Sequence, residues 1–395
     1  MQQLLDAPRQ DLDADEVREA LAYQVGGTFP RRGVRVLTLG DVDTGRELRI
    51  VGGKVDYSYR VPSATSGQTA DVSQTRRVAS FEVVGSLAEN LSAVRLQAFT
   101  DLRLRSGRSA RFFHGVFEPQ NPGVADDGVL LRRTISCQDK SARWKTKTLP
   151  AAVSVTATEP IVAYLKASLT AVFGETTFAI ASSTATLGRP MVFEAGTSYL
   201  EFYGRLLEGI GFDSLSPDEL GRPASQPLSV LAGRGVEATY GAQRGKILTA
   251  GTVAPLSPTL PNVLIFSARQ GPSLGNVPGN GLAVRRNERT GPASLQARGG
   301  FEVEQIIEVD AATQAALEQV ADAQQQTYFA GGGMTFSGRI APNLLAGDRD
   351  VVELVLPRLG LAEGSWLVTS WSLSLDPVTS ADAALMPITA ERRVA

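Results

Sequence analysis

The stretch that decides the fold is Phe193–Leu231, FEAGTSYLEFYGRLLEGIGFDSLSPDELGRPASQPLSVL. Thr197 opens an amphipathic helix in which Leu200, Tyr203, Leu207 and Ile210 recur at three- and four-residue steps, and Gly211 ends it. Phe212–Ser216, the turn Pro217-Asp218-Glu219-Leu220-Gly221 and Pro227–Leu231 then predict a hairpin. Upstream, Thr158-Glu159-Pro160 supplies a cap, an early acid and an early proline. Ile161, Val162, Leu165, Leu169, Val172 and Phe173 form the stripe of that earlier helix, and Gly174 stops it. Two helices and a small sheet can bury one face on each other. Residues 151–234 therefore read as a small α+β domain set between strand-rich regions, with no set of groups fit for chemistry.

Working toward the N-terminus, the hydrophobic period is two. Val34, Val36 and Thr38 lead into the turn Asp41-Val42-Asp43-Thr44-Gly45, and Leu48 and Ile50 follow. Val55, Tyr57, Tyr59 and Val61 alternate with Asp56, Ser58 and Arg60. After a polar loop over Pro62–Gln74, Arg77, Ala79, Phe81 and Val83 share one face of another strand. More strands are expected near Val94–Arg105, Arg111–Phe117 and Val129–Asp139. Short strands at this spacing predict a first β-barrel-like domain over residues 30–150. Residues 1–29 read as an N-terminal arm, in which Asp11–Tyr23 has too thin an apolar stripe for a stable helix.

Toward the C-terminus, Val263-Leu264-Ile265-Phe266 marks the return of strands. Gln270–Gly300 reads as a long loop rich in Gly, Pro, Asn and Arg. A helix over residues 310–329 follows, capped by Asp310, with Leu317 and Val320 on its apolar side and Gly331-Gly332-Gly333 ending it. Strands are expected at Val351–Leu356 and Trp366–Leu375. Residues 235–375 thus form a second β-barrel-like domain, and residues 376–395 a tail. The class is α+β, mainly β.

Composition narrows the function. The 395 residues carry 39 basic and 41 acidic side chains, a net charge of −2. Such a balance gives no electrostatic reason to hold nucleic acid tightly, and fits a surface DNA can pass without sticking. One cysteine, Cys137, excludes a disulfide framework within the chain. The first 30 residues lack a basic segment followed by an apolar one, so no signal peptide is expected, and no apolar run has the length of a membrane span.

The residues that could carry chemistry read as structural. The lone histidine, His114, has no partners at metal-ligand spacing and no Gly-x-Ser-x-Gly elbow to serve. Cys137 lies in the alternating run Thr134-Ile135-Ser136-Cys137 and reads as a buried filler. Asp43-Thr44-Gly45 spells an aspartic-protease triplet but has no second copy, so it reads as a hairpin turn. Asp41, Asp43 and Glu47 fail the calcium-loop spacing and read as solvated turn carboxylates. Gly275–Gly281 and Gly331–Gly333 do not join a strand to a helix start, so they are no phosphate cradle. Arg76, Arg77, Arg285, Arg286 and Arg289 read mostly as solvated basic spots. No catalytic, cofactor-binding or metal residue is expected, and no cofactor.

Several segments in order resemble a family. Gly115-Val116-Phe117-Glu118-Pro119 followed by Ile135-Ser136-Cys137-Gln138-Asp139-Lys140 is similar to a passage of minor tail proteins from long-tailed phages. Gly196–Leu200, Leu206–Phe212 and Asp218–Gly221 resemble the helix and hairpin that come next. Pro261–Ile265, the Asp310–Tyr328 helix and Gly347–Val352 continue the resemblance, which spans about residues 30–375. The family it points to is the tail hub, or baseplate hub, shared with contractile tails and related injection machines.

The resemblance implies two barrel-like β domains with smaller α+β domains in a homotrimer. Three chains with two similar domains each would give a pseudo-sixfold ring. That ring would join a sixfold tail tube or distal tail protein to a threefold tail tip, around a lumen for DNA passage. Implied partners are the chain itself, the distal tail or tube protein, the tape-measure protein and the receptor-binding proteins of the tip. The implied location is the distal end of a virion tail, after synthesis in the host cytoplasm. With no long extension after residue 375, the expectation is a hub without an attached lysin. Two alternatives compete. An adhesin or carbohydrate-binding tip component would use Trp144, Trp366, Trp371 or tyrosines as stacking platforms. A tail-associated wall hydrolase would need two carboxylates brought together by folding.

Overall fold

The computed structural model describes residues 31–48, 50–58, 76–84, 91–103, 109–126, 131–187, 190–228, 234–241, 248–254, 261–268, 281–288, 294–309, 311, 313–330, 335–340, 350–355, 365–376 and 385–392. The expected N-terminal arm, the Pro62–Gln74 loop, Asp310, Arg289 and Gly331–Gly333 lie outside these residues.

The first region holds β1 (Arg31–Thr38), β2 (Asp43–Leu48), β3 (Ile50–Ser58), β4 (Arg77–Val84), β5 (Val94–Arg103), β6 (Ser109–Asp126) and β7 (Leu131–Asp139). They pair antiparallel in the order β3-β4-β7-β6-β5-β1-β2. The period-two pattern sets which face is buried. Ala79, Phe81 and Val83 of β4 point inward while Val78 and Glu82 are exposed.

The middle region holds α1 (Ser141–Thr146), β8 (Val153–Val155), α2 (Ile161–Phe173), β9 (Ala179–Ile180), β10 (Met191–Phe193), α3 (Tyr199–Gly209), β11 (Ser216–Pro217) and β12 (Pro223–Ser225). Ser198 caps α3 by accepting from the Glu201 N–H at 3.2 Å, and Gly174 closes α2 with a left-handed φ of 71°. The predicted stripes of both helices meet in one core around Trp144, Leu165, Leu169, Leu200 and Leu207. Phe202 and Leu206, off the expected stripe of α3, are buried too. Phe193 of β10 packs edge-on against Phe202, and α1 also lies against α3.

The last region holds β13 (Ala238–Tyr240), β14 (Leu248–Ala254), β15 (Val263–Ala268), β16 (Leu282–Arg286), β17 (Glu304–Val309), α4 (Gln314–Ala330), β18 (Thr335–Ile340), β19 (Val351–Leu354), β20 (Ser365–Ser374) and β21 (Met386–Arg392). β14 pairs directly with β18. The chain therefore leaves the large sheet after β14 and rejoins it at β18. In between, β16-β15-β17 and α4 enclose a separate core of Leu264, Phe266, Ile307, Val309, Leu317 and Val320. Thr313 accepts from the Ala316 N–H at 3.1 Å at the start of α4.

Two elements fall where the sequence reading expected a loop or a tail, and α1, β8, β9, β13, β14 and β18 lie where it named no element. β16 lies inside the stretch expected to be a loop, because a five-residue strand among glycines and prolines shows no pattern until β15 stands beside it. β21 lies where a frayed tail was expected, between β18 and β20. Pro387 argues against a central strand. It is accommodated just past the last pair between β20 and β21, Trp371↔Ile388.

β20 joins the two β regions. Its first residues pair with β19 and its last with β3, on the same edge, while β21 takes the other edge. The result is one thirteen-stranded sheet. Its core draws Val55, Phe81 and Ile135 from the first region and Phe336, Leu354, Trp366 and Ile388 from the last. Gly53 lets β3 run this close: its φ is 139°, and a Cβ there would stand 2.2 Å from the Ser80 carbonyl oxygen. The chain is thus α+β and mainly β, with an α+β unit between two β regions and a helix in the C-terminal half.

Candidate functional site

The densest arrangement of polar groups is where the first β region meets the α+β unit. Asp139 ends β7 with its carboxylate buried. It accepts from the backbone N–H of Arg76 at 3.2 Å, of Arg77 at 2.8 Å and of Ser141 at 2.9 Å, and from the Ser141 hydroxyl. One side chain thereby fixes the start of β4 and the start of α1. Burial pushes its carboxyl above the ordinary aspartate value, against the pull of the Ser141 hydroxyl and the Arg77 N–H.

Lys140, the next residue, is buried. Its Nζ lies 2.7 Å from Asp41 Oδ2 and 2.6 Å from Glu175 Oε2. Asp41 sits in the β1–β2 turn with a left-handed φ of 61°, and it also accepts from Arg95 of β5 at 2.7 Å. Arg95 reaches Glu118 of β6 at 3.3 Å, and Arg143 of α1 reaches the same carboxylate at 3.4 Å. An unbroken chain of opposite charges thus runs from Glu175, two residues after α2, through Lys140, Asp41 of the β1–β2 turn and Arg95 to Glu118 and Arg143 of α1.

A second set clamps the β11–β12 hairpin. Arg76 grips Asp213 with contacts of 3.3 to 3.4 Å, donates to Ser216 at 3.1 Å, and also bonds the Ser214 hydroxyl. Arg77 donates to Glu219 at 3.1 Å. Gly221 closes the turn with a φ of 78°, and a Cβ there would stand 2.7 Å from Val116 of β6. Only glycine lets the hairpin press against the sheet this way.

The cations of this constellation face carboxylates or hydroxyls, an arrangement that holds segments of the chain together. Buried ion pairs contribute little net stability, but breaking one is costly, so they fix geometry more than they add energy. His114 is buried in β6 with its Nε2 2.8 Å from Thr100 Oγ1, and Cys137 is buried in β7. Among the described residues no group of three His, Cys, Asp or Glu side chains is placed to hold a metal, and no helix is long and apolar enough to cross a membrane. Trp144, Trp366 and Trp371 are all buried, so their rings are packing faces and not stacking platforms.

Sequence reasoning placed Arg76 and Arg77 on solvated faces, and this is corrected: both are buried. The signal was present for Arg77, which shares the inward parity of Ala79, Phe81 and Val83. Asp41, read as solvated, joins the buried chain, whereas Asp43 pairs at the surface with Arg35 at 2.7 Å. Arg285 and Arg286 do lie at the surface, pairing with Asp322 at 2.7 Å and Glu302 at 3.2 Å. Gly115, Glu118, Asp139, Lys140, Glu219 and Gly221, which carried the resemblance, all belong to or border this junction.

The fold is shared with tail proteins of solved structure. The chain is similar in structure to the tail protein from Neisseria meningitidis MC58, with a TM-score of 0.60 at 12% identity over 91% of this chain and 96% of that one. It is similar also to the 43 kDa tail protein of prophage MuSo2 from Shewanella oneidensis, with a TM-score of 0.58 at 12% identity over 91% of this chain and 98% of that one. A chain of the Francisella PdpA-VgrG complex superposes with a TM-score of 0.50 at 8% identity, over 96% of this chain and 55% of that longer one. No protein-family model and no curated protein sequence matches the chain.

Proposed function

We propose that this chain is a structural hub of the distal tail of a long-tailed phage, a ring-forming adaptor between a sixfold tail tube and a threefold tip. The observation that carries the reading is the tail-protein fold, which extends over nine-tenths of the chain and nearly all of both tail proteins. The junction supports it. Its buried charges lock an α+β unit onto a β region, as a load-carrying part requires. The two β regions would act as two modules per chain, six in a trimer, to meet a sixfold neighbour. The distal tail or tube protein, the tape-measure protein and the receptor-binding proteins of the tip are the proposed partners. DNA would pass a lumen without specific binding, in keeping with the net charge of −2. The adhesin alternative draws no support from the tryptophans, which are buried. Light scattering on the purified chain and antibody labelling of virions test the proposal. A trimer and label at the far end of the tail are expected. A monomer at every concentration, with no label on the tail, overturns it.

A further inference from the structure

We infer that β17 is a docking edge, at which an extended segment of a partner protein, basic at both ends and apolar between, adds a fourth strand to the β16-β15-β17 sheet. The inference goes beyond the hub reading and needs only this sheet. Among the described strands β17 pairs with β15 alone. Val263 donates to the Val303 carbonyl at 3.2 Å, and Ala268 donates away from β17, to the Gly281 carbonyl at 2.8 Å. In a parallel ladder that alternation turns the backbone of Gln305, Ile307 and Val309 toward β15 and that of Glu304, Ile306 and Glu308 outward. The outward N–H and C=O groups of Glu304 and Ile306 meet no partner among the described residues. β16, the other edge, is closed. Its outward carbonyls at Leu282, Val284 and Arg286 accept from Gln314 Nε2 at 3.1 Å, the Arg285 guanidinium at 3.2 Å and the Glu288 N–H at 3.1 Å.

The side chains decide what fits. Ile306 is 64% exposed, and the register sets it in one row with Ile265 and Val284 on the face of the sheet away from α4. A strand added at β17 lengthens that row, and an apolar residue opposite Ile306 shields it from water. Glu304 and Glu308 flank Ile306 on the same face. Glu304 has no ion-pair partner among the described residues, so a basic residue opposite it gains a cross-strand pair. A second copy of β17 does not fit. Paired antiparallel with Ile306 opposite its own copy, it sets Glu304 opposite Glu308 twice, like charges directly across the seam. An extended segment that joins a sheet edge takes its affinity from main-chain bonds and its specificity from alternate side chains. Here those alternate positions call for basic, apolar, basic.

The test uses the full chain and a fluorescein-labelled peptide, Thr-Lys-Thr-Val-Thr-Lys-Thr, read by fluorescence anisotropy. Saturable binding is expected, weakened about tenfold when both lysines become glutamates. Glu304→Lys is expected to weaken the lysine peptide and strengthen the glutamate peptide, a reversal that loss of folding does not produce. Ile306→Pro removes the outward N–H and leaves the pairing with β15 in place, and it is expected to abolish binding. No saturable binding, or binding that neither variant changes, overturns the edge. Equal binding of the two peptides overturns the basic occupant. Self-association of the chain that Ile306→Pro abolishes overturns the choice of a different protein as partner. The trimer and the tail label that test the hub reading are separate measurements, so either proposal can fail alone.

Discussion

Lys140 Nζ stands 2.6 Å from Glu175 Oε2, and both side chains are buried. Lys140 closes the last strand of the first β region and Glu175 follows the first long helix of the α+β unit, so the pair bridges the two. Lys140→Met is expected to destabilise the fold by about 3–5 kcal/mol, because Glu175 is left as a buried charge without its cation. Lys140→Met with Glu175→Leu is expected to recover part of that loss. Urea unfolding measures both, and an unchanged midpoint in the single variant would show that the bridge carries nothing.

Tyr57 and Trp371 are direct partners across the β3–β20 seam, with ring centroids 5.6 Å apart and an interplanar angle of 26°. Trp371→Ala is expected to cost about 3–5 kcal/mol through the cavity it leaves. A double-mutant cycle with Tyr57→Ala should give a coupling of about 0.5–1.5 kcal/mol. A coupling of zero would mean that the seam is held by backbone pairing alone.

Burial lifts the Glu118 carboxyl above its ordinary value of 4.5, and Arg95 and Arg143 only partly offset this. The native state therefore holds this proton more tightly than the unfolded chain does. The stability it contributes is fully present below pH 4.5 and is lost as pH rises through the native value. Glu118→Gln removes the titration. Relative to wild type, the variant is expected to gain stability as pH climbs above 4.5, read from urea midpoints across a pH series. The opposite slope would show that the arginines outweigh desolvation.

Cys137 is buried and burial pushes its thiol far up, so little thiolate exists at neutral pH. A thiol reagent such as DTNB is expected to react with it only as fast as the native protein opens, and to completion in denaturant. Stoichiometric reaction within seconds in the native protein would contradict this placement.

The α+β unit was legible because its punctuation is local. Gly174, Ser198 and Gly221 act through their own backbone angles and neighbours, and periodic stripes at 161–173 and 199–209 can bury only one way. Strands of the first region were legible for the same reason, since β4 alternates strictly and Val34 and Val36 of β1 keep the same period. β16 and β21 were not, because a short strand or one bearing a proline exists only by virtue of its partners. The junction was half legible. Arg77 falls on an inward position of its strand, but nothing near it in sequence announces Glu219, and Lys140 and Asp41 are 99 positions apart.

The sequence by itself determined the class, the elements with clear periods, and the lack of any spaced set of reactive groups, all of which depend on neighbours within a few residues. Only the tertiary structure decided that β20 welds the two β regions into one sheet, that residues between β14 and β18 enclose a core of their own, and that Arg76, Arg77 and Lys140 are buried against carboxylates. Each of those depends on desolvation and pairing between segments far apart in the chain. Those interactions come into being only once the segments are brought into contact.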